Sequence, residues 1–141
     1  MALQGQPRTI LPASAGKRSV YNNSSSAIGA NLCVMDDTTK DHVKLPTSAS
    51  VPIVGVTGPE GIAAHSWGSV INVAGAKVPI TNASGVTIGT RLGVDTAGKV
   101  VTIGSSAGTN YSLVGVADET AADGEAGEVT FAGPGAMIQA A

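Results

Sequence analysis

Two stretches of the chain repeat one pattern, and that duplication restricts the possible folds more than any other feature. Residues 28–80 carry I-G-A-N-L-C-V-M-D, H-V-K-L-P, V-P-I-V-G-V and W-G-S-V-I-N-V-A-G, while residues 88–138 carry I-G-T-R-L-G-V-D, K-V-V-T-I, Y-S-L-V-G-V and A-G-E-V-T-F-A-G. Ile28, Gly29, Leu32, Val34 and Val54-Gly55-Val56 recur 60 positions later as Ile88, Gly89, Leu92, Val94 and Val114-Gly115-Val116. Leu45 and Ile103, and Ala74-Gly75 and Ala132-Gly133, stand 58 apart, so turns have drifted where strands have not. What recurs is a scaffold of apolar residues and glycines. The polar residues able to do chemistry do not recur, which argues for a structural or binding module over an enzyme. One repeat of about 50 residues buries too little surface to stand alone, so the halves are expected to share a core.

That core is expected to be thin. The chain holds one Trp, one Phe and two Tyr, and aromatics bring the largest burial per residue. Oligomerisation is the usual remedy for a small core. Charged residues make up 13% and the formal net charge is −2, with Lys17-Arg18 as the one small basic cluster, which disfavours nucleic acid as a partner. The start, M-A-L-Q-G-Q-P-R, has no charged segment leading into an apolar one, and no run approaches the ~20 apolar residues of a membrane span, so synthesis in a cytoplasm is expected. Cys33 stands alone, which precludes an intramolecular disulfide and reads as a small buried residue.

Residues 1–18 lie outside the repeat. Pro7 and Pro12 flank the short apolar run Thr9-Ile10-Leu11 and disfavour a helix, so this segment reads as an extended arm, with a disordered terminus as the plainer alternative. In the sharper reading the arm adds as a strand to a partner's sheet edge, anchored by Ile10 and Leu11. Residues 19–141 read as a single β-domain. Short β-prone runs near 31–35, 42–46, 52–57, 69–74, 77–81, 91–95, 99–103, 112–117 and 127–132 alternate with turns, the signature of a small all-β barrel or sandwich built from two similar halves. Asp95-Thr96-Ala97-Gly98 marks the clearest hairpin turn. In both V-G-V triplets the glycine is expected between two inward valines, at a bulge or a close backbone approach.

The constellations that might carry chemistry are incomplete. Ala64-His65-Ser66-Trp67-Gly68 matches a nucleophile-elbow variant, but no histidine follows His65 and a strand is expected from Gly68. The plainer expectation is that His65 and Trp67 cap a barrel end or form a subunit contact. Asp36, Asp37 and Asp41 lack the spacing of a calcium loop and read as a solvated turn. His42 and His65 have no Cys or His at ligand spacing, and Gly16-Lys17-Arg18-Ser19 lacks the upstream glycine of a phosphate loop. No cofactor, metal or small-molecule substrate is expected.

The arm, the glycine- and valine-rich β-domain, the low charge and the scarce aromatics together resemble the capsid decoration (cement, head-stabilising) proteins of tailed bacteriophages. The resemblance rests on the rhythm of I-G-T-R-L-G-V-D-T-A-G-K-V and A-D-G-E-A-G-E-V-T-F and spans most of residues 28–133. It implies a homotrimer on the outer surface of the expanded capsid, with the major capsid protein as partner and the virion as location. On this reading Gln6, Pro7, Arg8, Thr9, Ile10 and Leu11 form the capsid-binding arm. The alternative is a tail, fibre or baseplate β-domain that recognises a host surface, for which exposed Trp or Tyr platforms would be expected.

Overall fold

The computed structural model describes residues 16–140, and the expected capsid-binding residues Gln6 to Leu11 lie outside them. Twelve strands run in order: β1 (Lys17–Asn22), β2 (Cys33–Asp36), β3 (His42–Lys44), β4 (Gly55–Thr57), β5 (Ser66–Ile71), β6 (Lys77–Thr81), β7 (Arg91–Val94), β8 (Val100–Thr102), β9 (Asn110–Ser112), β10 (Gly115–Ala117), β11 (Ala126–Phe131) and β12 (Met137–Gln139). There is no helix among the described residues, so the fold is all-β as the patterning predicts. β1 takes in Lys17 and Arg18, the last two residues that the repeat assigns to the arm.

The first five strands close a barrel in the order β1-β3-β2-β4-β5, with β5 returning to β1. The second half builds the same ring as β6-β11-β10-β7-β8, and its final contact shrinks to one parallel bridge between Asn82 and Val100. β9 and β12 pair separately beside it. The ring therefore starts earlier than the apolar repeat suggests: Lys17, Val20 and Asn22 of β1 return at 60 as Lys77, Ile80 and Asn82. In β2 and β7 the structural correspondence also departs from the sequence match. Val54 N–H donates to Val34 O at 2.9 Å and Val114 N–H to Leu92 O at 2.8 Å, so Val34 corresponds to Leu92 and not to Val94. A slip of two residues leaves every side chain on its original face, which is why the sequence pattern conceals it.

Buried side chains form two clusters. The smaller fills the first barrel with Val20, Ile28, Val34, Val43, Ile62 and Val70. The larger, centred on Leu92, Val129 and Phe131, also recruits Cys33, Ile53 and Val56 from the first half. The halves thus share one of two cores. Main-chain bonds cross the same seam: Cys33 N–H to Gly98 O (2.8 Å), Thr81 N–H to Asn31 O (2.9 Å), Ser112 N–H to Ala49 O (2.9 Å) and Gly135 N–H to Ile53 O (2.8 Å). Burial, aided by the charge of Asp95, pushes the Cys33 thiol far above its usual pKa and keeps it protonated.

The expected hairpin turn provides one of these contacts. Asp95 Oδ1 accepts the N–H groups of Ala97 and Lys99, each at 2.9 Å, and Gly98 closes the turn at φ 81°. A Cβ on Gly98 would lie 2.7 Å from Cys33 O, so only glycine lets the hairpin tip dock on the first barrel. The V-G-V glycines also mark close approaches. A Cβ on Gly55 would stand 2.6 Å from Val70 Cγ2, and one on Gly115 would run into the carbonyl of Thr130. The flanking valines are not uniformly inward: Val116 is 40% exposed and Val54 only partly buried, because each V-G-V strand begins at its glycine.

Candidate functional site

The hydrogen-bond alternation along β5 defines an open edge. Asn72 N–H donates to Gly16 O at 2.7 Å, and Tyr21 N–H points away from β5, to Asp41 O at 2.8 Å. In an antiparallel ladder these bonds alternate, so Trp67, Ser69 and Ile71 direct their main-chain groups away from β1. Ile71 meets Val56 of β4. β4 then stops at Thr57, because Gly58-Pro59-Glu60-Gly61 turns away: Gly61 N–H returns to Gly58 O at 3.1 Å, and Pro59 has no N–H to give. Ile62 goes on to bridge Ile28. The Thr57–Val70 pair still directs Gly58 N–H at Ser69 O; beyond it the N–H of Ser69 and both main-chain groups of Trp67 are without ladder partners on that side among the described residues. Their edge faces a groove of about 520 Å³ lined by Lys17, Gly58, Pro59, Trp67, Ser69 and Ile71, among others.

The second barrel closes the same place with its own chain. By register, Lys17 corresponds to Lys77, Gly58 to Asp118, Ser69 to Glu128 and Ile71 to Thr130. Asp118 N–H extends the ladder to Glu128 O at 2.9 Å, and Glu128 N–H donates to Glu119 Oε2 at 2.7 Å. The Asp118 carboxylate accepts the Thr130 hydroxyl at 2.8 Å and the Lys77 ammonium at 3.2 Å. The Thr130 hydroxyl, with help from Lys77, holds the Asp118 carboxyl below its usual pKa.

On the outer wall beside the groove stands a row of rings. Trp67 is 63% exposed and meets Tyr21 edge-on at a centroid distance of 5.3 Å, and Tyr21 lies 5.0 Å from the His42 ring. The register puts all three abreast on β5, β1 and β3. Next to the row, Arg18 binds Asp36 at 3.1 Å and Asp41 at 3.4 Å, while Lys44 reaches Asp37 at 3.7 Å. The acidic turn is thus held by basic neighbours, and no group of three or more His, Cys, Asp or Glu suited to a metal occurs among the described residues.

Of the two residues expected at a barrel cap or subunit contact, Trp67 lines the groove and His65 does not. His65 is an exposed turn residue in the left-handed region (φ 49°) whose N–H donates to Ser24 O at 3.1 Å. Trp67 stands on the outer wall of β5 and is open to solvent, so it does not cap a barrel end. The elbow motif is not formed: Ser66 opens an antiparallel strand opposite Asn22, and its hydroxyl donates to Ala64 O at 2.9 Å. Lys17, Tyr21, His42 and Ser69 were not evident as site residues. The available signal was the place where the repeat breaks, Gly58-Pro59 against Asp118-Glu119.

No family model matches the chain, and no curated protein matches it. Among solved structures, its fold is similar to that of the N base of the head fibre protein gp8.5 of bacteriophage phi29. The TM-score is 0.62 at 14% identity, over 82% of this chain and 93% of the other.

Proposed function

We propose that the protein is a structural component of a bacteriophage virion that binds the outer surface of the expanded head as an oligomer, a trimer by the resemblance of its sequence, and stabilises the joints between capsomers. The observation that carries this reading is the likeness of nearly the whole β-body to the base of a phage head fibre. The duplicated scaffold suits the role: it repeats packing residues and glycines and leaves the polar positions free to diverge. A protein that binds only the expanded lattice favours that state by mass action, and many identical weak contacts add up through effective concentration. The major capsid protein is the proposed partner and residues 6–11 the proposed contact. Mixing expanded capsids with the full chain or with a variant lacking residues 2–14 tests it. Occupancy is expected to be lost in the truncated form, and equal occupancy would remove the arm from the contact.

A second reading, recognition of a host surface, draws on the ring row of Trp67, Tyr21 and His42. The exposed Trp67 ring, with Tyr21 and His42 half-buried beside it, offers an apolar face at a polar rim. In this reading Trp67→Ala lowers adsorption of virions to host cells and leaves capsid occupancy intact; unchanged adsorption would discard it.

A further inference from the structure

We propose that the open edge of β5 is a docking site for an extended, carboxylate-bearing peptide segment of a partner protein. The molecule contains its own template for such a complex. In the second barrel, Asp118 and Glu119 extend the ladder on β11, one acid meeting Lys77 and Thr130 and the other capping Glu128 N–H. In the first barrel the lysine of the receiving half survives, Ile71 stands in place of Thr130, and the inserted half is missing. Lys17 holds the place of Lys77 and forms no ion pair among the described residues. Ser69 holds the place of Glu128, and its N–H faces the groove together with the N–H and C=O of Trp67. Gly58 and Pro59 stand where the two acids would be.

Three main-chain groups, the N–H and C=O of Trp67 and the N–H of Ser69, have no partner on that side among the described residues, and a sheet edge in that condition is a template for strand addition by another chain. Lys17 then selects the sequence, because a carboxylate beside it gains a charge-assisted bond. Glu60 also lines the groove, so a segment with one acid directed at Lys17 fits better than a polyacidic one. The chain's own N-terminal segment suits the edge poorly: residues 1–15 contain no Asp or Glu, and Arg8 carries the same sign as Lys17. The inference does not depend on the virion reading, since it follows from the comparison of the two barrels.

The test uses the full chain and the peptide Val-Gly-Val-Ala-Asp-Glu-Thr-Ala, which copies residues 114–121. Amide NMR shifts and the fluorescence of Trp67, the single tryptophan, report binding. Shifts are expected to centre on Trp67 and Ser69, with a Kd of roughly 1 mM or tighter. Replacing the peptide's Asp by Asn, or Lys17→Gln in the protein, is expected to weaken binding about 3- to 10-fold, as loss of a charge-assisted hydrogen bond would. Lys17 is exposed, so its variant is expected to fold, which unchanged amide spectra elsewhere will verify. Grafting the clasp itself, with Gly58→Asp, Pro59→Glu and Ile71→Thr together, is expected to abolish peptide binding. Absence of shifts at Trp67 and Ser69 at several times the expected Kd would overturn the proposal, as would binding indifferent to Lys17→Gln. Tighter binding of a peptide copying residues 4–15 would overturn it too and assign the edge to the arm.

Discussion

The two barrels share a strand order and a register, yet they finish differently after their V-G-V strands. In the second, the chain continues into Asp118 and Glu119 and spends two carboxylates on closing its own sheet edge. In the first, Gly58-Pro59 turns the chain aside and, among the described residues, leaves the edge of β5 open beside the molecule's only tryptophan. Duplicated scaffolds allow this, because one copy can secure the fold while the other relaxes a local closure. The buried asparagines differ in the same spirit, with the roles reversed. Asn22 donates to Ser26 O, Ile62 O and Ala63 O and accepts from Ser24, whereas Asn82 Nδ2 donates to Glu125 O and its Oδ1 is buried without a partner among the described residues.

The comparison can be broken most forcefully in the core. Phe131→Ala is expected to cost about 3–5 kcal/mol, from the empty volume left by a fully buried ring. Because its cluster includes Cys33, Ile53 and Val56, urea unfolding should stay a single transition; two separated transitions would make the barrels independent domains. Next in size, Asn22→Ala is expected to cost about 2–3 kcal/mol, since it removes a buried amide that donates to Ser26 O, Ile62 O and Ala63 O and leaves Ala63 O without another donor among the described residues, and Asn82→Ala only about 1 kcal/mol. Equal losses in thermal melts would erase the difference between the two asparagines.

A smaller effect concerns the clasp. The folded-state pKa of Asp118 is lowered, so its contribution to stability is present above the ordinary carboxylate range and fades as pH falls through the lowered value. Thr130→Val should raise that pKa towards the usual value in a carboxyl NMR titration and shift acid unfolding to higher pH. An unmoved pKa would deny the hydroxyl its role. Smallest of all, Arg18→Ala removes two partly exposed ion pairs and is expected to change stability by no more than about 1 kcal/mol, with the difference shrinking in high salt.

The all-β class, the duplication and the Asp95–Gly98 turn were legible in the sequence because each rests on local chemistry: alternating valines, spaced glycines, an Asx turn. β1 was obscured because the apolar match begins at Ile28, although Lys17 and Asn22 already recur at Lys77 and Asn82. The two-residue slip between Val34 and Leu92 was hidden by the period of a strand. The site was harder still to see, since the row of Trp67, Tyr21 and His42 joins residues that meet only across three strands. Even the informative contrast, Gly58-Pro59 against Asp118-Glu119, acquires meaning only when the register shows that both face the same edge.

The position of β1 also has a mechanical side. It is held to β5 through six successive residue pairs and touches β3 on its other flank. A pull applied at residue 16 along the strand would load that ladder in shear, so its hydrogen bonds would have to fail together and not peel away one at a time. If the segment before residue 16 tethers the protein to anything, the body should come off its anchor before β1 comes out of the body.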